Sequence, residues 1–339
     1  MHVPMRRGFC LRRLCLAFVT GACLVALGAG AVSVAQSAFS VWAEPYATYA
    51  PVYRFILSAK RSVDVVMYEL SDWTAERDLA ADAARGADVR VLLDSAYHGG
   101  SYNRPAASYL QGAGVHVKWA PPSVIVHEKA IVVDDRAALV MTGNLTSLYY
   151  PTSADFVVED TKAPDVATIV RAFDDDWGGD LAGSPYAVPV HGQEGDLVFS
   201  PGSESALVGL LRSAKHQVET SSEELDSYAV EDALEADARR GVTVDLLMTQ
   251  DNYWDSAFAR LKASGAHIRL YPYSSRALYV HAKMVVVDGR TAYVGSVNYS
   301  TASVVYNREL GLVSSDPAIV RPLAQTWARW WAGAPIKYS

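Results

Sequence analysis

This 339-residue chain contains itself twice. "ILSAKRSVDVVMYEL" (56–70) answers "LRSAKHQVETSSEEL" (211–225), and "AARGADVRVLLD" (83–94) answers "ARRGVTVDLLMT" (238–249). "LQGAGVHVKWA" (110–120) answers "LKASGAHIRLY" (261–271), and "VHEKAIVVDDRAALVMTGNLTS" (126–147) answers "VHAKMVVVDGRTAYVGSVNYST" (280–301). "AFDDDW" (172–177) answers "TWARWW" (326–331). The blocks keep their order at offsets of 151 to 156 residues. A period that long marks a duplicated domain and not a solenoid of short repeats.

Each half spells the same series of elements. A helix over "APVYRFILSAK" precedes the β-branched strand "SVDVVMYEL", and a helix through "TAERDLAADAARG" stops near Gly86. "DVRVLLD", a helix to "YLQGAG", "VHVKWA", "HEKAIVVDD", "AALVMTGN" and "DFVVED" follow, and the half closes on a helix ending "AFDDDW". Strands alternating with helices predict an α/β fold with mixed sheets. The expectation is two similar α/β/α sandwich halves related by a pseudo-twofold axis, with a site at their interface. The halves are placed at 36–178 and 196–339, joined by a Gly- and Pro-rich linker at 179–195.

Residues 1–35 differ from the rest. Four arginines and no acid precede an apolar Gly/Ala-rich run and the small residues of "SVAQSA". That is the layout of an export signal, with a membrane anchor as the alternative. A secreted or periplasmic protein is therefore expected. Removing the segment takes away Cys10, Cys15 and Cys23, the only cysteines, and moves the formal net charge from −7 to −11. A chain so acidic is a poor overall partner for nucleic acid.

The fourth block carries the chemistry. His127, Lys129 and Asp134 recur as His281, Lys283 and Asp288. Asn144 and Asn298 each lie 17 residues after their histidine, and Asp155 and Glu309 each lie 28 after it. In a strand "HEKAIVV" the histidine and lysine share a face. Brought together, two lysines and two asparagine amides suit the charge on a phosphoryl group. Two histidines offer a neutral nucleophile and a protonated general acid. A carboxylate on the far ring nitrogen of each would fix its tautomer. No metal or other cofactor is required, because the lysines supply the positive charge.

Two H-x-K-x4-D motifs, each followed by a G-S-x-N-like segment, resemble the phospholipase D superfamily. The second copy fits throughout. The first departs from it, with Thr142 where the second half has Ser296, and with its glycine moved to Gly143. An altered turn is expected there, not a dead site. The resemblance implies a two-step reaction through a phosphohistidine, with His127 of the N-terminal motif as nucleophile and His281 as general acid and base. It implies that Asp155 and Glu309 orient the histidines. Asp134 and Asp288 are read as bracing the local strand-turn structure.

Other features receive plainer readings. His98, His116, His191, His216 and His267 are taken as surface or strand positions. Glu69 and Glu224 correspond between the halves and are candidates to line the cleft. "FDDDWGGD" lacks the ligand spacing of a calcium loop. Tyr97, Tyr149, Tyr150, Tyr253, Trp254 and Tyr271 fall in loops that could contact a choline group or an acyl chain. The expected function is an exported, monomeric phospholipase D-type phosphodiesterase. It would hydrolyse or transphosphatidylate phospholipids such as phosphatidylcholine, touching the membrane surface transiently. A metal-independent nuclease is the alternative. A cardiolipin synthase-type transferase ranks below both, since such relatives usually carry further membrane helices.

Overall fold

A computed structural model describes residues 37–96, 99–181, 190 and 196–338. The expected export segment, Tyr97, His98, His191 and most of the 179–195 linker lie outside the described residues. The first half runs β1 (Phe39–Glu44), α1 (Ala50–Ile56), β2 (Ser62–Met67), α2 (Trp73–Ala84), β3 (Asp88–Leu93), α3 (Gly99–Tyr102), α4 (Arg104–Gly112), β4 (His116–Trp119), β5 (Lys129–Val133), β6 (Ala137–Met141), β7 (Ser153–Asp160) and α5 (Ala163–Gly178). The second runs β8 (Leu197–Ser200), α6 (Ser203–Arg212), β9 (Gln217–Ser221), α7 (Tyr228–Arg239), β10 (Thr243–Thr249), α8 (Asp255–Ser264), β11 (His267–Tyr271), β12 (Tyr279–Val280), β13 (Lys283–Val287), β14 (Thr291–Gly295), β15 (Glu309–Ser314), α9 (Pro317–Gly333) and β16 (Ile336–Lys337).

Local signals set these boundaries. Asp72 caps α2, its side chain accepting from the amides of Thr74 and Ala75. Gly86, at φ 92°, follows α2 where a left-handed residue ends the helix. β5 and β6 are wholly buried, and apolar but for Lys129, because they lie inside the sheet and are covered on both faces.

The first sheet has the order β1-β7-β6-β5-β2-β3-β4, and the second β16-β11-β10-β9-β13-β14-β15-β8. Each sheet is mixed: β2 pairs with β3 in parallel and with β5 antiparallel, as β9 does with β10 and β13. Side chains alternate across the sheets. Val65, Met67, Ile131 and Leu139 join the core under α1, α2 and α4, while Ala130, Val132, Val140 and Phe156 face the other way. That inner core is common property. It also takes Met284, Val286 and Val294 from the second sheet, Val166 and Ile169 from α5, and Trp327 and Trp330 from α9. Helices α6, α7 and α8 cover the outer face of the second sheet. The two expected sandwiches are thus present, but they share their inner helices. Among the described residues no helix is long and apolar enough to cross a membrane.

Backbone pairing also crosses between the halves. β12 of the second half pairs with β7 of the first, Tyr279 opposite Ser153 and Val280 opposite Ala154. In return, Val126 bridges to Arg308. The Arg308 guanidinium is buried and donates to both carboxylate oxygens of Asp176 on α5, at 2.8 and 2.9 Å. Removing one partner of a buried pair strands the other charge, at a cost of about 3–5 kcal/mol. Asp176→Ala is therefore expected to lower the unfolding free energy by about that much. Urea denaturation tests this, and a loss under about 1 kcal/mol would show that the pair holds nothing together.

Candidate active site

The strand "HEKAIVV" begins only at Lys129, because the crossing draws His127 off the sheet edge. His127 N donates to Arg308 O, and Arg308 N to Ile125 O, both at 2.9 Å. His281 repeats this against the first half, its N donating to Ala154 O at 3.2 Å. Arg308 precedes Glu309 and Ala154 precedes Asp155 in sequence. Each histidine is thereby set beside the carboxylate of the opposite half.

Nδ1 of His127 lies 2.9 and 3.1 Å from the two Glu309 carboxylate oxygens. Nδ1 of His281 lies 2.8 Å from Asp155 Oδ1. Both carboxylates are buried and further held. Ser303 Oγ and Asn307 Nδ2 donate to Glu309 at 2.7 and 3.2 Å. Thr142 Oγ1 and Ser153 Oγ donate to Asp155 at 2.6 and 2.5 Å. A carboxylate on Nδ1 leaves Nε2 as the reactive nitrogen of each ring.

The lysines are fully buried. Lys129 Nζ donates to the His127 carbonyl and stands 5.0 Å over the Tyr68 ring, whereas Lys283 Nζ donates to Glu223 at 3.0 Å. Asn144 Nδ2 donates to Glu69 at 3.3 Å. Asn298 Oδ1 accepts from Ser222 Oγ and Glu223 N, each at 3.3 Å. Asp134 and Asp288 stand apart from this group. Both have positive φ, and their carboxylates accept the backbone amides of residues 60–62 and 215–217 respectively. They brace turns.

The departure in the first motif has a packing cause. Thr142 Oγ1 accepts from Phe156 N at 2.8 Å, as Ser296 Oγ accepts from Leu310 N at 3.0 Å, so the hydroxyl keeps its structural bond. The glycine moves because the volumes move. In the second half Gly295 and Gly311 pair across strands, and a Cβ on either would come within 3 Å of the Tyr293 side chain. In the first half Met141 and Val157 pair instead, with Leu139 in place of the tyrosine. Gly143 is required for a different neighbour, since a Cβ there would lie 2.7 Å from Asp155 Cγ and from Tyr49 Oη.

One pair of equivalent positions breaks the symmetry. Val66 pairs with Ala130, and Ser221 with Met284, so the residues two further on, Tyr68 and Glu223, correspond. The Tyr68 ring meets the His127 ring edge-on at 4.7 Å. Glu223 Oε2 lies 3.2 Å from His281 Nε2. Their effects on proton affinity are opposite. Burial is the largest influence on His127 and outweighs Glu309, pushing the imidazole down to about 4. Burial also opposes the charge on His281, but Asp155 and Glu223 overcome it and raise that imidazole to about 8. Burial lowers Lys129 to about 7. At neutral pH, His127 is a neutral imidazole and His281 carries a proton.

Both histidines line one cavity of about 840 Å³, together with Tyr68, Asn144, Tyr149, Glu223 and Tyr279. Glu69 and Glu224 line it too, as does Tyr150, which stacks on Tyr49 at 3.6 Å. Tyr253, Trp254 and Tyr271 are not among the lining residues. His116 and His267 are exposed beside Asp88 and Asp245, and His216 packs at the Asp288 turn through its amide. In "FDDDW", Asp174 pairs with Arg90 and Asp176 with Arg308. Sequence reasoning missed Glu223 and Tyr68. The signal was present in the matched "MYEL" and "SEEL", which set one against the other.

Residues 52–177 and 207–331 each match the family described as "Cardiolipin synthase, PLD-like domain". The chain is similar to cardiolipin synthase A of Cronobacter sakazakii, 24% identical over 318 residues, which cover 80% of this chain and 64% of that protein. It is likewise similar to cardiolipin synthase A of Serratia proteamaculans, 26% identical over 324 residues, covering 82% of this chain and 66% of that protein. It therefore spans less than two thirds of the length of these relatives. Phosphatidylserine synthase of Haemophilus influenzae superposes with a TM-score of 0.65 at 12% identity, over 89% of this chain and 87% of that one. Polyphosphate kinase of Porphyromonas gingivalis also gives 0.65, at 15% identity, over 86% of this chain and 46% of that one. At such identities the likeness is one of fold.

Proposed function

The chain belongs to the phospholipase D superfamily, and from that premise we propose that it transfers the phosphoryl group of a phospholipid diester through a phosphohistidine on His127. One observation carries the reading: two histidines line a common cavity, each anchored at Nδ1 by a carboxylate of the opposite half. Nε2 of neutral His127 attacks phosphorus as the bond to the leaving oxygen breaks, and His281 gives that oxygen its proton. His281, now a base, then takes a proton from the incoming water or alcohol, which displaces His127. Lys129 and Lys283 offset the charge on the phosphoryl oxygens.

The tyrosines of the cavity support a lipid substrate, while Glu69, Glu223 and Glu224 in its wall count against a polyanion such as DNA. The name of the curated relatives favours an alcohol acceptor, and so transfer over hydrolysis. Export belongs to the proposal only through the layout of residues 1–35.

The test is a substrate panel on the purified protein: vesicles of phosphatidylglycerol, phosphatidylethanolamine and phosphatidylcholine, single-stranded DNA, and bis(p-nitrophenyl) phosphate, with and without added ethanol. Headgroup release or phosphatidylethanol formation is expected, with DNA left intact. Cleavage of DNA without turnover of any lipid would reverse the reading in favour of the nuclease.

A further inference from the structure

The duplication gives the two histidines matching anchors, yet their roles in phosphoryl transfer must differ. Something other than the repeated motif has to divide the work. Each ring has its own set of charged neighbours. His127 has Glu309 from β15, Lys129 from β5 and Lys283 from β13. His281 has Asp155 from β7, Lys283 from β13 and Glu223 from the segment just after β9. An anchoring carboxylate and the nearby lysine charge occur on both sides. Glu223 is the added group, and its counterpart is the uncharged ring of Tyr68.

The geometry of Glu223 is specific. Its Oε2 lies 3.2 Å from His281 Nε2 and 3.0 Å from Lys283 Nζ, while Oε1 accepts from Tyr279 Oη at 2.7 Å. It is therefore held from two sides while it faces the reactive nitrogen. Burial favours its neutral form, but the His281 and Lys283 charges win and hold its carboxyl well below the usual range. Asp155 Oδ1 holds Nδ1 of the same ring, so both nitrogens of His281 have an anionic acceptor. A ring so placed keeps two protons. Tyr68 places a neutral phenol ring beside His127 where the second half has that carboxylate, and burial keeps His127 unprotonated, with the lone pair needed to attack phosphorus.

We propose that Glu223 is a positioning residue of this site, one that fixes the proton on His281 Nε2 and, by standing where the first half has Tyr68, decides which histidine donates and which attacks. The inference rests on the phosphodiester reading for its catalytic meaning. In the step it governs, the phosphorus–Nε2 bond to His127 forms as the phosphorus–oxygen bond breaks, and the proton passes from His281 Nε2 to the leaving oxygen. Glu223 neither bonds to phosphorus nor carries the proton away.

The test uses the full chain with Glu223→Gln and Glu223→Asp. Histidine titration is followed by NMR, with the His281 signals identified from His281→Ala, alongside the pH dependence of kcat/KM on bis(p-nitrophenyl) phosphate and a phospholipid. In the wild-type protein the His281 midpoint is expected near 8, and the basic limb on the lipid with it. Removing an adjacent opposite charge shifts such a group by about 1–3 units. Glu223→Gln is expected to lower the midpoint and the basic limb on the lipid together by at least about one unit. For a one-unit shift that is about a fivefold loss at pH 8, approaching tenfold by pH 9, with Glu223→Asp restoring most of it. An unmoved midpoint, or a loss equal at every pH, would overturn the proposal. A shifted midpoint in a protein that turns over no phosphodiester would sink the enzymatic reading and leave the proton-holding role of Glu223 standing.

Discussion

His127→Ala is expected to lower turnover by about 10⁴-fold or more and to leave no phosphoenzyme that can be trapped by acid quench. The size of the effect follows from the site. Among its two histidines, only His127 has burial pushing it down to about 4, so only His127 presents an uncharged Nε2 at neutral pH. His281 cannot stand in, because two carboxylates hold its protons. The acidic limb of the rate should also report His127: the nucleophile is lost as pH falls through about 4, when the ring gains a proton. A phosphoenzyme that still forms in His127→Ala would show that the roles are reversed.

The second large effect concerns His281→Ala and depends on the leaving group. With a phospholipid the leaving alkoxide needs a proton, and the first step should slow by about 10²–10⁴-fold. With bis(p-nitrophenyl) phosphate the leaving phenolate departs without one. The first step should then survive while the second, which needs a base, stalls. Stopped-flow spectroscopy is expected to show a burst of about one equivalent of p-nitrophenol per protein, followed by little turnover. Mass spectrometry should place the phosphoryl group on His127. Steady turnover of the activated ester at the wild-type rate would remove His281 from the second step.

Much of this was legible in the sequence, for identifiable reasons. The order of the elements could be read because apolar runs such as that of β5 carry their own periodicity and are bounded by turn residues. The doubled His, Lys, Asn and carboxylate could be read because duplication preserves spacing. Partnership could not. Asp155 lies 28 residues from His127, yet it serves His281; spacing is the same whether a carboxylate serves its own half or the other. Only the pairing of Val126 with Arg308 and of β12 with β7 decides it, and two-residue strands leave little trace in sequence. β1 escaped notice because "FSVWAE" stands close to the apolar run before it. The shift of the motif glycine to Gly143 was visible, but its cause was not. That cause is the exchange of one tyrosine and two glycines for three aliphatic side chains across a sheet.

The reciprocal wiring of the histidines has a consequence for how such a site can diversify. Two separate copies of one half, associated about the same twofold, would complete the same pair of anchored histidines. One gene would then specify both sides, and any residue placed beside one ring would appear beside the other. A carboxylate at the position of Tyr68 and Glu223 would charge both rings or neither. Covalent fusion lifts that constraint. It lets Tyr68 stand at one histidine and Glu223 at the other, so donor and attacker are inherited as distinct residues and need not be chosen afresh at each encounter with substrate.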